Sequence, residues 1–174
     1  YGQVEVGGAG NLPEVDVVSI ESTWNYLEPE KDHFDFDLMD RTIEYWTGLG
    51  KRINFRIMTD MLVLGFTWNG APEWLINDPR VGYEVIEFDQ PSEYRPVNSY
   101  KAANLRSAYY QERLSIFLDK LVEHYGDNEA VDVVEIRGYG NWGEWHSGIN
   151  FNTMNERITT LTQIVDKYAQ AWGE

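Results

Sequence analysis

The sequence predicts an α/β fold: a parallel sheet made of about four βα units, arranged as a (β/α) barrel. Three observations predict it. Short apolar runs alternate with longer runs of helical spacing, which implies βαβ units. Connections are longer after the strands than before them. Polar residues also gather after strands: Glu21 and Trp24 after the first, Arg56 and Asp60 at the second, Glu144 and His146 after the fourth. A barrel carries its chemistry at the carboxyl ends of its strands. An open doubly wound sheet places its site on the same side, so polarity alone leaves both open. No Gly-rich phosphate loop follows the first strand, which counts against a nucleotide fold.

The first strand is expected at Val15–Ile20, followed by a loop through Glu28 and Pro29. Leu38, Ile43, Trp46 and Leu49 recur at helical spacing, so a helix is expected over Leu38–Leu49. Asp35 or Asp37 would cap it, and Gly48 and Gly50 would stop it. Arg52–Ile57 alternates polar and apolar residues and reads as the second strand. From Asp60 to Ser99 the prolines and glycines predict mostly loop. Within it, Ala71–Ile76 is expected to make one helical turn and Val85–Phe88 the third strand.

Asn104–Tyr125 is the strongest helix, with Leu114, Phe117, Leu118, Leu121 and Val122 forming an apolar stripe that ends at Gly126-Asp127. Val131–Ile136 is the fourth strand. Thr153–Trp172 is a last helix with Ile158, Leu161, Ile164, Val165 and Tyr168 facing inward.

A chain of 174 residues with 43% hydrophobic content can bury a core, and residues 1–174 are expected to form a single domain. The net charge of −15 would repel a phosphate backbone, so nucleic acid and anionic membranes are poor partners. No window approaches a membrane span, and the first residues lack the pattern of a signal peptide. The first residue is not Met, so a processed or excised chain is expected. With no cysteine there is neither a disulfide framework nor a thiolate metal site, which fits a bacterial cytoplasm, a periplasm or secretion equally. Seven Trp, eleven Tyr and seven Phe are many for this length. Trp24, Trp68, Trp74, Trp142 and Trp145 occupy loop-like or strand-end contexts, which favours a stacking surface over core packing.

Chemistry concentrates in Glu135-Ile-Arg-Gly-Tyr-Gly-Asn-Trp-Gly-Glu-Trp-His146. A carboxylate, a histidine, an arginine, a tyrosine and two tryptophans in one glycine-rich loop are costly to bury without partners. They suit the mouth of a binding site. Aromatic faces beside a carboxylate match a sugar ring, whose C–H patches stack on indole while its hydroxyls take polar partners.

Trp24-Asn-Tyr-Leu-Glu-Pro-Glu30, Phe34-Asp-Phe-Asp-Leu-Met-Asp40 and Gly50-Lys51 resemble the opening of (β/α)8-barrel glycoside hydrolases of the large retaining clan. Pro72-Glu-Trp-Leu75, His124-Tyr-Gly-Asp127 and Gly143-Glu-Trp-His146 follow in the same order. The order is similar to that of bacterial β-galactosidase barrels, in a divergent Gly-Glu-Trp-His branch, and it spans about residues 13 to 148. In that clan the general acid/base is a Glu at the end of the fourth strand, and the matching position is Glu144. The clan usually has Asn directly before this Glu, whereas here Gly143 precedes it and Asn141 lies three residues back. The clan's nucleophile ends the seventh strand, so the resemblance puts it outside this chain. It implies that the chain is the N-terminal half of the barrel, either a fragment or a half that pairs with another half or a second copy.

The expected function is therefore that of a glycoside hydrolase-like protein acting on a β-linked oligosaccharide or polysaccharide by acid/base catalysis. Glu144 is the catalytic candidate. The substrate-binding candidates are Glu21, Trp24, Arg56, Arg137, Asn141, Trp142, Trp145 and His146. Several of these have a second reading. Glu144 could pair with Arg137, Glu21 could pair with Arg56, and His146 could be structural. Arg56, on an inward-facing strand position, would support carboxylate ionisation. No cofactor is expected. The three histidines lack metal-ligand spacing, and Asp32, Asp35, Asp37 and Asp40 lack the Gly and terminal Glu of a calcium loop, leaving helix capping to explain them. The rivals are a non-catalytic carbohydrate-binding barrel and a half-barrel that dimerises.

Overall fold

A computed structural model describes residues 13–59, 70–87, 99–146 and 149–173. In chain order the elements are β1 (Val17–Thr23), α1 (Trp24–Leu27), α2 (Asp37–Gly48), β2 (Arg52–Met58) and α3 (Glu73–Ile76). These are followed by β3 (Tyr83–Glu87), β4 (Ser99–Ala103), α4 (Ala108–Tyr125), β5 (Val131–Val134) and α5 (Met154–Trp172). Strands β1, β2 and β5 form a parallel sheet in that order, and β3 and β4 form a separate two-stranded sheet. Val17 lies opposite Arg52 and Thr23 opposite Met58. Ile53 lies opposite Val131 and Phe55 opposite Val134, with an irregularity between Ile53 and Asn54. Helices α2 and α4 make the two crossovers that parallel pairing requires.

Strand β2 determines which way the sheet faces. Ile53, Phe55 and Ile57 are buried, while Asn54 and Arg56 point to the opposite face, as the two-residue period demands. The buried set joins one core with Met39 and Ile43 of α2, Leu114, Phe117 and Leu118 of α4, and Ile164 and Tyr168 of α5. Trp24 is at its centre, stacked on Phe117 at 4.9 Å and edge-on to Tyr110 at 5.8 Å. A fully buried aromatic of this kind contributes about 2 to 3 kcal/mol.

The helix ends follow from local chemistry. Ser107 and Thr153 accept hydrogen bonds from Tyr110 N and Glu156 N, and so cap α4 and α5. Gly50, at φ +73°, closes α2 by a Schellman turn: Lys51 N donates to Trp46 O and Gly50 N to Thr47 O.

Several expectations need correction. The first strand begins and ends later than expected, at Val17–Thr23. Val85 does lie in a strand, but β3 pairs antiparallel with β4 instead of joining the parallel sheet. The described residues therefore hold three parallel strands rather than four, and Glu144 follows the third. Neither Asp35 nor Asp37 occupies the cap of α2, which is Phe36; Asp35 Oδ1 instead accepts from Asp37 N at 3.1 Å. On α5, Ile164 and Tyr168 are buried, but Ile158 and Val165 are exposed, and Thr160 takes an inward place. Helix α5 packs on α4, and Ile158 and Val165 lie on its exposed side. Asp60, Trp68 and Phe88 lie outside the described residues.

Candidate active site at the end of β5

The sheet face turned away from the core is polar. Ser19 and Glu21 of β1 lie opposite Asn54 and Arg56 of β2. Parallel strands buried on both faces normally read as Val- and Ile-rich runs, so a polar face marks a surface built for another purpose. Arg56 pairs with Glu21 and, through Nε, with Glu135 at 3.2 Å. Asn54 donates to Glu135 Oε1 at 2.6 Å and to Ser19 Oγ at 3.1 Å. Arg137 donates from Nε to Glu135 Oε2 at 2.6 Å and also pairs with it through Nη2. Burial pushes the Glu135 carboxyl upward, but hydrogen bonds from Asn54 and Arg137 and the charges of Arg137 and Arg56 outweigh it and hold it below the ordinary value.

Beyond β5 the chain turns back on itself. Glu135 N still donates to Phe55 O at 2.9 Å, and Thr59 N to Arg137 O at 3.2 Å, the last backbone bonds among the described residues joining this segment to the end of β2. Gly143 N donates to Gly140 O at 2.8 Å and Trp145 N to Tyr139 O at 3.0 Å, closing a tight loop. Trp142 and Trp145 both have left-handed backbones, at φ 59° and 64°. For non-glycine residues such conformations cost about 1 to 3 kcal/mol each and persist only where surrounding bonds enforce them. Gly143, at φ +63°, explains the missing Asn before Glu144. A Cβ there would lie 2.7 Å from Arg137 O and 2.8 Å from Arg137 Cα, so only glycine fits.

Glu144 emerges from this loop with its side chain 47% exposed. Arg137 Nη1 lies 3.5 Å from its Oε1, and His146 Nε2 lies 3.3 Å from its Oε2. Glu21, Arg56, Glu135, Arg137, Glu144 and His146 thus form one connected chain of charge across three strands and a loop. It ends on a solvent-reachable carboxylate beside an imidazole, a pairing that can accept and deliver a proton.

The structure brings together five of the nine candidates: Glu21, Arg56, Arg137, Glu144 and His146. Asn141 opens the 3-10 turn Asn141–Gly143. Trp142 is partly exposed on the loop. Trp145 is half-buried, its indole N–H spent on Ile136 O at 2.9 Å and its ring tilted against Tyr139, so packing takes much of the surface expected to stack on sugar. Trp24 presents no ring to a ligand: it is fully buried and donates to Glu28 Oε2 at 2.6 Å. Among the described residues no group of three or more His, Cys, Asp or Glu could hold a metal ion. Asp32 pairs with Arg113, and Asp40 with His124 and Tyr125, so the acidic run is dispersed among separate partners.

Glu135 and Asn54, which hold the network together, were not singled out from the sequence. The signal was present: Asn54 with Arg56, and Glu135 with Arg137, repeat at period two where a buried strand would carry Val or Ile. Glu28, read as a turn residue, is a fully buried carboxylate held by Trp24 Nε1, Asp32 N and Arg113.

Residues 11–145 match the sequence model of a family described as β-galactosidase, glycoside hydrolase family 42. No curated protein matches the chain by sequence. Among solved structures it is similar to a cold-adapted β-galactosidase from Rahnella sp. R3 (TM-score 0.56, 12% identity), covering 90% of this chain and 29% of that one. It is similar to endo-glycoceramidase II from Rhodococcus sp. in its lactosyl-enzyme form (TM-score 0.57, 15% identity), covering 90% and 39%. A β-galactosidase from Halorubrum lacusprofundi gives a TM-score of 0.52 at 20% identity, covering 91% and 22%. These neighbours are (β/α)8 glycoside hydrolases, and the chain spans less than two-fifths of their lengths.

Proposed function

Since this chain belongs to glycoside hydrolase family 42, the β-galactosidase family, we propose that it forms part of a glycosidase barrel acting on a β-linked glycan. Glu144 is the general acid/base. It protonates the leaving glycosidic oxygen and then takes a proton from the water that completes hydrolysis. Retaining hydrolysis needs a second carboxyl about 5 Å away as nucleophile. Glu135 is committed to Asn54, Arg56 and Arg137, and the clan resemblance puts the nucleophile at the end of a seventh strand, a carboxylate delivered by the remainder of a longer protein or by another half-barrel. The observation that carries the reading is the exposure of Glu144 on a strained loop at the carboxyl end of a parallel strand, where barrels keep their chemistry. Glu144→Gln in the complete protein, assayed on an aryl β-galactoside, is expected to lower turnover by about 10²- to 10⁴-fold with folding intact. An unchanged rate would remove Glu144 from the mechanism.

A second reading is a carbohydrate-binding barrel without catalysis. It is favoured by Gly143 standing where the clan carries Asn, since the loop leaves no room for a side chain there. Calorimetric titration with oligosaccharides, run beside a hydrolysis assay on one sample, separates the two: binding with no reducing sugar released selects the second.

A further inference from the structure

We propose that Arg137 is a positioning residue that aims the Glu144 carboxylate, with Glu135 as its anchor and Gly143 as the pivot that lets the loop reach it. The catalytic part of this inference rests on the reading of Glu144 as acid/base; the structural part stands without it. Arg137 has an 11% exposed side chain. Its guanidinium is held on one side by Glu135, which binds Nε and Nη2 together. Both nitrogens converge on one oxygen, Glu135 Oε2, and this charge-assisted contact holds that edge of the guanidinium in place. Glu135 is itself gripped by Asn54 and Arg56 of β2, so the sheet sets the direction of the fork.

The remaining nitrogen, Nη1, faces the loop. It donates to Trp142 O at 3.0 Å and lies 3.5 Å from Glu144 Oε1. The Trp142 carbonyl is turned toward it because Trp142 is left-handed. The next residue, Gly143, passes so close over the Arg137 backbone that a Cβ would be 2.7 Å from Arg137 Cβ. The loop is thus folded down on Arg137 twice, once on its backbone and once on its guanidinium, and Glu144 leaves directly from that point. A lysine ammonium is a compact point charge without the planar spread that reaches Glu135 and the loop from opposite edges. Arg137 was expected to contact substrate; with all three of its nitrogens engaged by protein, it instead acts on the reaction through Glu144.

The experiment compares Arg137→Met, Arg137→Lys and Glu135→Gln in the complete protein by amide hydrogen exchange and by kinetics on an aryl β-galactoside. Arg137→Met is expected to speed exchange at the Gly143 and Trp145 amides at least tenfold, with the amides of α4 and α5 unchanged. It should lower kcat at least tenfold while KM stays within about twofold, and Arg137→Lys should recover part of the kcat loss. Glu135→Gln should move both readouts in the same direction by less, and it decides the matter if Arg137→Met does not fold. Unchanged loop exchange overturns the proposal. So does faster exchange with unaltered kcat, and a rise confined to KM would make Arg137 a substrate contact instead. If wild-type protein does not turn over the glycoside, or Glu144→Gln matches the wild-type rate, the glycosidase reading fails by itself, and loop exchange still decides whether Arg137 braces the loop.

Discussion

Two clusters of carboxylates and arginines differ in where their central carboxylate sits, one inside the core and one at its edge. In the first, Glu28 is fully buried and Arg113 nearly so. Arg113 binds Glu28 at 2.6 Å and Asp32 at 2.8 Å, and its guanidinium lies 5.1 Å from the Trp74 ring centre. Trp24 Nε1 donates to Glu28 Oε2 and Asp32 N to Glu28 Oε1. Burial pulls the Arg113 guanidinium downward, but the partners Asp32 and Glu28 more than offset it and raise it above its ordinary value. In the second cluster exposure is graded, from 11% at Arg137 through 27% at Glu135 to 47% at Glu144. The same residue types serve opposite ends. Where three donors surround a fully buried carboxylate, the ions lock α1 and its following turn onto α4. Where the chain of pairs runs out toward solvent, its last carboxylate stays about half exposed.

Glu144→Gln breaks the comparison most sharply if it is right, abolishing most turnover with little effect on the melting temperature. Glu28→Gln should do the reverse. Removing one partner of a buried pair leaves the other charged and uncompensated, at a cost of about 3 to 5 kcal/mol. A denaturant melt should show that loss as a lower midpoint, and a midpoint within experimental error of wild type would end the claim that this cluster holds the fold.

Gly143→Ala tests the loop between the two regimes. A methyl at φ +63° against the Arg137 backbone should cost about 1 to 3 kcal/mol and displace Glu144, seen together as a lower melting temperature and reduced turnover. If both match wild type, the loop is not held as described.

The pH dependence of stability sharpens the distinction further. The Glu135 carboxyl lies lower in the folded state than in the unfolded chain. Its contribution is therefore present above the unfolded value, near 4.3, and is lost as pH falls through the folded value. Thermal melts of wild type and Glu135→Gln should converge as pH drops below about 4; parallel curves down to pH 3 would contradict the network. The smallest effect is expected for Glu21→Gln. That outermost, exposed pair with Arg56 should contribute about 0 to 1 kcal/mol, and a larger loss would make β1 part of the site's foundation.

Much of this arrangement was legible along the chain. Leu114, Phe117, Leu118 and Leu121 announced α4 by spacing, and Thr153 opens α5 where the last helix was expected to start, whereas the cap of α4 is Ser107, three residues past the expected Asn104. The Glu135–His146 run could be picked out because carboxylates among indoles and glycines at a strand end are costly to bury, and the clan resemblance pointed to Glu144 within it. Pairing was harder to foresee. Val85 has strand chemistry, but its partner Lys101 lies across a stretch of prolines, and nothing local says that the two run antiparallel outside the parallel sheet. Trp24 reads as a loop tryptophan until Phe117 and Tyr110, far along the chain, are seen to enclose it.

By itself the sequence determined α2, α4, α5, the three parallel strands, the α/β class and the loop that carries Glu144. Each of these follows from periodicity, capping or backbone restriction within about twenty neighbouring residues. Only the tertiary structure decided that Glu135 and Asn54 anchor the site, that Glu28 is buried with Arg113, and that Trp24 belongs to the core. These depend on residues roughly 80 positions apart meeting across β1, β2, β5 and α4. Whether a carboxylate is a buried brace or a working acid depends on how many donors surround it and whether water reaches it, and both are properties of packing.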